Sequence, residues 1–395
     1  MFKKVGTPRA SDVLLSGTPT PAGGSVVCAD RRLDCSRFRN FFWWFVAGVA
    51  LVIFVQTLTV CVHGQGHWTW LLHVSPEMPA LRKHIEQELG PLGPLVPCGH
   101  DGQQFYAIAR DPLGQRGTPD LVDQPRYRYQ RILYPLLAGG GGFLPPRAVL
   151  WGLIVWSAVG AGLLLVGTAD LCFHLGLQRW TVLLTLFNVG VLYSAVTLTT
   201  DILAAGLAIA GVSLWVRNRT TAAMALFALA ALSREVSLLV PWSLALVAWL
   251  ERVRFRAVFV AMLPTIPVAV WWIWLSFSMP EEGAGLQNLD LPGRGLVQGV
   301  GFWLGDNDAV GREDLFLGAM AAALMACATA AAVVSKHLLL RWQCASWVCL
   351  GLFASVHVWA KANNVLRLFI LLWIFTILDL CWHMAHRSAL ALRKS

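Results

Sequence analysis

The sequence predicts an all-α protein: a polytopic transmembrane helical bundle of about ten crossings, two of them short, with a long outer loop after the first span. Three observations predict it. The 395 residues are 56% hydrophobic and only 13% charged, whereas about a quarter of a soluble domain is charged. Several apolar runs exceed the ~18 residues that a bilayer crossing requires. The charged residues gather in short segments between those runs, which is how membrane orientation is encoded. The 19 tryptophans suit the same class, since their amphipathic rings favour the membrane–water interface. A net charge of +9 then reads as orientation signal and attraction to lipid headgroups. No nucleic-acid-binding motif accompanies it, so nucleic acid is not an expected partner.

Residues 1–40 are basic, interspersed with Gly, Pro, Ser and Thr, and are expected to form a disordered cytoplasmic tail. The first apolar run, Phe41–Val62, is too long for a signal-peptide core and lacks a small-residue cleavage site, which makes it an uncleaved anchor. A polar outer loop follows over 63–147. Spans are expected at 148–168, 181–199, 201–216, 257–278, 313–335, 344–360 and 364–385. Between 220 and 250 two apolar stretches flank Ser233-Arg234-Glu235, and each half makes roughly 20 Å of helix. A second outer loop covers 279–312. The chain thus reads as one transmembrane domain, 41–385, with a short cytoplasmic tail at 386–395.

Arg217 and Arg219, then Arg252, Arg254 and Arg256, then Lys336 and Arg341, and finally Arg387, Arg393 and Lys394 mark cytoplasmic segments. With Lys3, Lys4, Arg31 and Arg32 also inside, the 220–250 element must go out and return, placing Arg234 and Glu235 at the outer face. The 63–147 loop, the Thr200–Asp201 turn, the 279–312 loop and the Lys361–Arg367 turn then share that face. No internal repeat of the kind found in inverted-repeat transporters is visible. The nine cysteines show no CxxC or zinc spacing. A Cys61–Cys98 disulfide is one reading, inert thiols the other.

The first outer loop carries the richest chemistry. It reads DGQQFYAIARDP from Asp101 and YRYQRILYP from Tyr127. Asp101 with Gln104 is a capping-box pattern, and a helix from Gly102 to Arg110 would gather Phe105, Ile108 and Ala109 on one face, suited to lying on the membrane. A capping carboxylate at a cleft is also placed for catalysis. Asp111 would sit at the C-terminal end of that helix, where the dipole disfavours an anion by ~0.3–1 kcal/mol; it is either salt-bridged or functional. Tyr127, Arg131 and Tyr134 share a helical face, with Arg128 beside Arg131. These arginines either snorkel to headgroups or grip a phosphate or pyrophosphate.

Arg234 and Glu235 interrupt an apolar helix, where an unpaired charge costs ~3 kcal/mol, so they must pair or reach water. Asp201 opens an apolar helix as its N-cap or first-turn acid, and Lys361 and Arg367 flank the last outer turn. His63, His67, His73, His84 and His100 crowd the first loop with Glu86 and Glu88, without HExxH spacing. Asp306-Asn307-Asp308 is a DxD, a motif that is usually a solvated turn and binds metal-phosphate in some transferases. A divalent metal is therefore conceivable, and no cofactor is certain.

These segments resemble the GT-C superfamily of polytopic glycosyltransferases. DGQQFYAIARDP is similar to the Asp-x-x-x-Tyr-x-x-Ile-Ala-Arg segment of its aminoarabinose and protein mannosyltransferase branches. YPLLA (Tyr134–Ala138) is similar to a Tyr-Pro-Leu-Leu block of the second mannosyltransferase of glycosylphosphatidylinositol assembly. TLTTDILAAGLAIAG followed by ALSREVSLLV resembles the mid-chain order of that group. Taken together, the set looks most like bacterial cell-surface glycopolymer proteins of this class, over residues 41–250. Here the acidic pair is replaced by His100-Asp101-Gly102, so sugar and acceptor do not carry over.

The resemblance implies a GT-C-like fold and transfer of a sugar from a polyprenyl-phosphate donor to a hydroxyl of a glycan, lipid or protein, at the outer side of a multi-pass bacterial cytoplasmic membrane. Asp101, with Asp111 second, would be the base. Arg128, Arg131, Arg234 and Arg367 would hold the donor phosphate, with Tyr127, Tyr134 and Glu235 also in the site. The rival expectations are a transporter or flippase of a lipid-linked glycan, which predicts matched halves and midplane charges, and a non-catalytic subunit of a glycan assembly complex.

Overall fold

A computed structural model describes residues 35–97, 99–279, 286–305 and 309–392. The described residues are helical and contain no strand beyond one isolated bridge, Leu289 with Ala354. Four helices are long and apolar enough to cross a membrane: Asn40–Val62, Pro146–His174, Ala257–Ser278 and Leu315–Val334. A fifth crossing results if Arg179–Phe187 and Val189–Val196, bent by 54°, form one span. Asp201–Val216, Thr220–Ser233, Glu235–Leu250 and Leu338–Phe353 are shorter apolar helices. This is a membrane-embedded helical protein. The expected tail before residue 35, Cys98 and the Asp306–Asp308 motif lie outside the described residues.

The bundle centres on Pro146–His174, which packs against both Asp201–Val216 and the first helix, Cys35–Val62. Small residues allow this. A Cβ on Gly160 would lie 2.6 Å from the Leu203 Cα, one on Gly206 would lie 2.2 Å from the Gly160 carbonyl oxygen, and one on Gly48 would lie 2.6 Å from that of Ala161. Apolar helices in lipid gain nothing from the hydrophobic effect between them, so close backbone approach supplies the contact. Thr220–Ser233 packs on Asp201–Val216, and a second group joins Leu239–Leu250, Arg254–Ser278, Ala309–Val334, Leu338–Phe353 and Ile370–Leu392.

Two expected spans are broken, and the expected split of 220–250 is present. The 181–199 run divides because Asn188 caps a new helix, its Oδ1 accepting from the Val191 N–H at 3.3 Å. The split of 220–250 falls at Arg234, whose backbone is extended (φ −154°, ψ 118°) while its side chain and that of Glu235 are engaged elsewhere. The 364–385 run breaks between Ala362–Leu368 and Ile370–Leu392.

The loop helix corrects an expectation. It spans Asp101–Arg110, but Gly102 through Ala109 are all buried, so it is not an amphipathic helix lying on the surface. Its polar face meets protein: Gln103 Oε1 accepts from the Ser75 N–H at 3.2 Å, and the Tyr106 hydroxyl donates to Glu88 at 2.8 Å. Glu88 also pairs with Arg110 at 3.0 Å.

Candidate functional site

Gly102 seats the start of this helix. A Cβ there would lie 2.6 Å from the Thr197 carbonyl oxygen and 3.2 Å from that of Leu72. Asp101 is therefore held directly over the turn that opens Asp201–Val216. No side chain caps the helix: the N-cap is His100, and Asp101 is the first helical residue. The expected capping box does not form, because the Asp101 carboxylate is taken by arginines.

Three guanidinium groups converge on that carboxylate. Arg128 Nη1 donates to Oδ1 at 2.6 Å, Arg367 Nη2 lies 3.4 Å from Oδ2, and Arg131 Nη1 lies 3.9 Å from it. Each arginine has a second anchor. Arg128 donates to Asp123 at 2.6 and 3.0 Å, Arg131 to Glu235 at 3.1 and 3.2 Å and to the Tyr127 hydroxyl, and Arg367 lies 3.8 Å from Asp201 and donates to Asn364 at 3.1 Å. Arg234 pairs with Asp201, which also accepts from Thr199 at 2.7 Å. Asp201 is thus a first-turn acid serving two arginines. Charges from four separated segments meet here.

Burial alone would raise the Asp101 pKa. The attraction of Arg128, Arg367 and Arg131 outweighs it and holds the carboxyl well below the usual carboxylate range. His100 is pulled down to about 4, first by burial and then by the positive charge of Arg367. Behind it, His73 is buried and depressed to about 3, first by burial and then by His100, against a backbone hydrogen bond at Val196 that raises it. The rings stand edge to face, 4.9 Å apart. His100 Nε2 lies 2.9 Å from the Tyr193 hydroxyl, which accepts from Asn363 at 2.7 Å. Both histidines are neutral at physiological pH.

Asp101, its three arginines, His100, Arg234 and Glu235 line a cavity of about 950 Å³. Its wall carries six cations, Arg126, Arg128, Arg131, Arg234, Lys361 and Arg367, against two carboxylates, Asp101 and Glu235. Apolar side chains, Leu239, Trp242, Trp272, Leu275, Leu350 and Leu368, also line it. Arg367 is 8% exposed, and its Nε and Nη1 have no hydrogen-bond acceptor. A cavity lined by both guanidinium groups and apolar side chains is suited to an anion attached to a hydrocarbon chain.

The structure brings together Asp101, Tyr127, Arg128, Arg131, Arg234, Glu235 and Arg367. It does not bring in the other two residues anticipated from sequence. Asp111 caps the far end of the loop helix, and its carboxylate accepts from the backbone N–H groups of Gln115, Arg116 and Thr118 at 2.8, 2.7 and 3.4 Å. The Tyr134 hydroxyl is fully buried and donates to the Leu153 carbonyl at 2.7 Å. Among the described residues no group of three or more His, Cys, Asp or Glu could hold a metal ion. The site also draws in Tyr193, Asn363, Asn364 and His357, which the sequence motifs did not single out. Tyr193 carried a signal: it is one of only five tyrosines, and it falls in an apolar run.

Fold and site together define a membrane-embedded helical protein with an arginine-rich cavity bordered by apolar side chains. No family model, curated protein or solved structure matches the chain.

Proposed function

We propose that this protein is a GT-C-type membrane glycosyltransferase, moving a sugar from a polyprenyl-phosphate donor to a hydroxyl of a glycan, glycolipid or protein at the outer face of a bacterial cytoplasmic membrane. In that reading the short helices count as crossings, giving about ten. The observation that carries it is the convergence of Arg128, Arg131 and Arg367 on Asp101 in a cavity also lined by apolar side chains. The ordered motifs of the first outer loop add to it.

The chemistry follows from these groups. The acceptor oxygen forms a bond to the anomeric carbon, and the bond from that carbon to the phosphate oxygen breaks. The electron pair leaves with the lipid phosphate, and the acceptor proton goes to the Asp101 carboxylate. A positioned base is worth ~10²–10⁴-fold. The departing phosphate gains negative charge, which fixed guanidinium groups stabilise. Arg128, Arg131 and Arg367 face one point, and Arg126 and Lys361 have no carboxylate partner among the described residues. Leu239, Trp242 and Leu275 provide a bed for the first prenyl units.

The test is release of polyprenyl phosphate by purified protein in lipid nanodiscs, using a panel of polyprenyl-phosphate hexoses and pentoses with membrane glycan extract as acceptor. Wild type releases it from at least one donor, and Asp101→Asn lowers the rate by ~10² or more. Release that is equal in the two proteins would sink the reading.

A further inference from the structure

The arrangement around Asp101 is unusual for a base. A carboxylate tied to three guanidinium groups is a poor proton acceptor, because each cation favours its ionised form. Yet the three arginines do not depend on Asp101 for their placement. Arg128 is held from outside by Asp123, Arg131 by Glu235 and Tyr127, and Arg367 by Asn364 and Asp201. Without the Asp101 carboxylate, the guanidinium groups would keep their anchors and still face the same point. Arg367 retains buried donors with no acceptor.

We infer that Asp101 occupies the place of the ligand's phosphate, so that an incoming phosphate ester displaces its carboxylate from Arg128, Arg131 and Arg367. This rests on the lipid-phosphate reading of the cavity and adds a rule for its use. Before the donor binds, Asp101 is masked and cannot accept a proton. Once a phosphate draws the guanidinium groups, the carboxylate is released beside the bound sugar as a competent base. Donor binding and base activation are then one event, and the acceptor is deprotonated only when a donor is present. The ligand chemistry is that of a phosphate ester or inorganic phosphate, which a planar guanidinium grips through paired N–H donors.

The prediction runs against intuition for a substrate-site residue: removing the Asp101 charge improves anion binding. The measurement is the affinity of farnesyl phosphate, farnesol and inorganic phosphate for full-length protein in phosphatidylcholine nanodiscs, for wild type, Asp101→Asn and Asp123→Asn. Asp101→Asn is expected to tighten farnesyl phosphate about tenfold while leaving farnesol unchanged. Inorganic phosphate tightening as much as farnesyl phosphate would mean the head group alone displaces Asp101; tightening of farnesyl phosphate only would mean the lipid chain is needed for displacement. Asp123→Asn removes an anchor outside the convergence point and is expected to weaken binding. It guards against a general effect of deleting any nearby acid. Wild-type binding of farnesyl phosphate with unchanged or weaker affinity in Asp101→Asn overturns the inference but not the lipid-phosphate reading. If no form prefers farnesyl phosphate to farnesol, that reading fails and the inference falls with it.

Discussion

The pair between Arg131 and Glu235 joins the 63–147 loop to the break in the 220–250 element, and its removal has a calculable cost. Arg131 is 6% exposed and Glu235 18%, with guanidinium nitrogens 3.1 and 3.2 Å from the carboxylate oxygens. Breaking a buried pair costs ~3–5 kcal/mol because a charge is left without its partner. Glu235 keeps some solvent, and Arg131 retains Tyr127 and a 3.9 Å approach to Asp101, so the loss is smaller. We expect Glu235→Gln to destabilise by about 2–3 kcal/mol and Arg131→Gln by a similar amount, with a coupling of about 1.5–2.5 kcal/mol in the double mutant. The assay is reversible unfolding in bilayers by steric trapping, on the two single variants and the double variant. A coupling below about 0.5 kcal/mol would show that the two segments are not joined through this pair.

Other consequences follow from single contacts. Gly102→Ala forces a Cβ against the Thr197 and Leu72 carbonyls, and overpacking of this kind costs ~1–3 kcal/mol; lower thermal stability with loss of polyprenyl-phosphate release is expected, and normal release would show that Asp101 is not seated by this contact. Asp111→Asn weakens a carboxylate that accepts from three backbone N–H groups, costing about 2 kcal/mol of stability while cavity affinity is unchanged; an effect on affinity without one on stability would move Asp111 into the site. His73 falls from 6.5 in the unfolded chain to about 3 when folded, so only the unfolded chain takes up its proton as pH drops below 6.5. Its contribution to stability is present above that pH and is lost on the way down to pH 3, about 2 kcal/mol of it by pH 5. His100 acts in the same direction. His73→Phe is expected to flatten the melting-temperature profile between pH 7.5 and 5, and an unchanged slope would contradict the assignment.

The membrane class was legible because bilayer crossing imposes a composition and a run length that nothing else requires. The helix Asp201–Val216 matches its apolar run, since Asp201 begins it and the polar Arg217-Asn218-Arg219 ends it. Charge bias also anticipated that Asp101, Asp201, Arg234, Glu235 and Arg367 belong to one place. The split at Ser233-Arg234-Glu235 was legible from its charges. The break at Asn188 was less so, because Asn is a weak signal inside an apolar run. The loop helix was misjudged because its period suits a membrane surface equally well, and only Ser75 and Glu88 reveal that protein covers its polar side. Asp111 and Asp101 look alike in sequence. What separates them is that one meets backbone N–H groups and the other meets guanidinium groups from distant segments.

The central claim is transfer of a sugar through Asp101, and cell-surface glycan composition tests it most directly. A strain lacking this protein is complemented with wild type or Asp101→Asn, with membrane levels of the two matched. The account predicts that the null strain lacks one sugar from one surface glycan, that wild type restores it and that Asp101→Asn does not. Full restoration by Asp101→Asn would contradict it and leave the Asp101 cluster as a structural lock between loop and bundle.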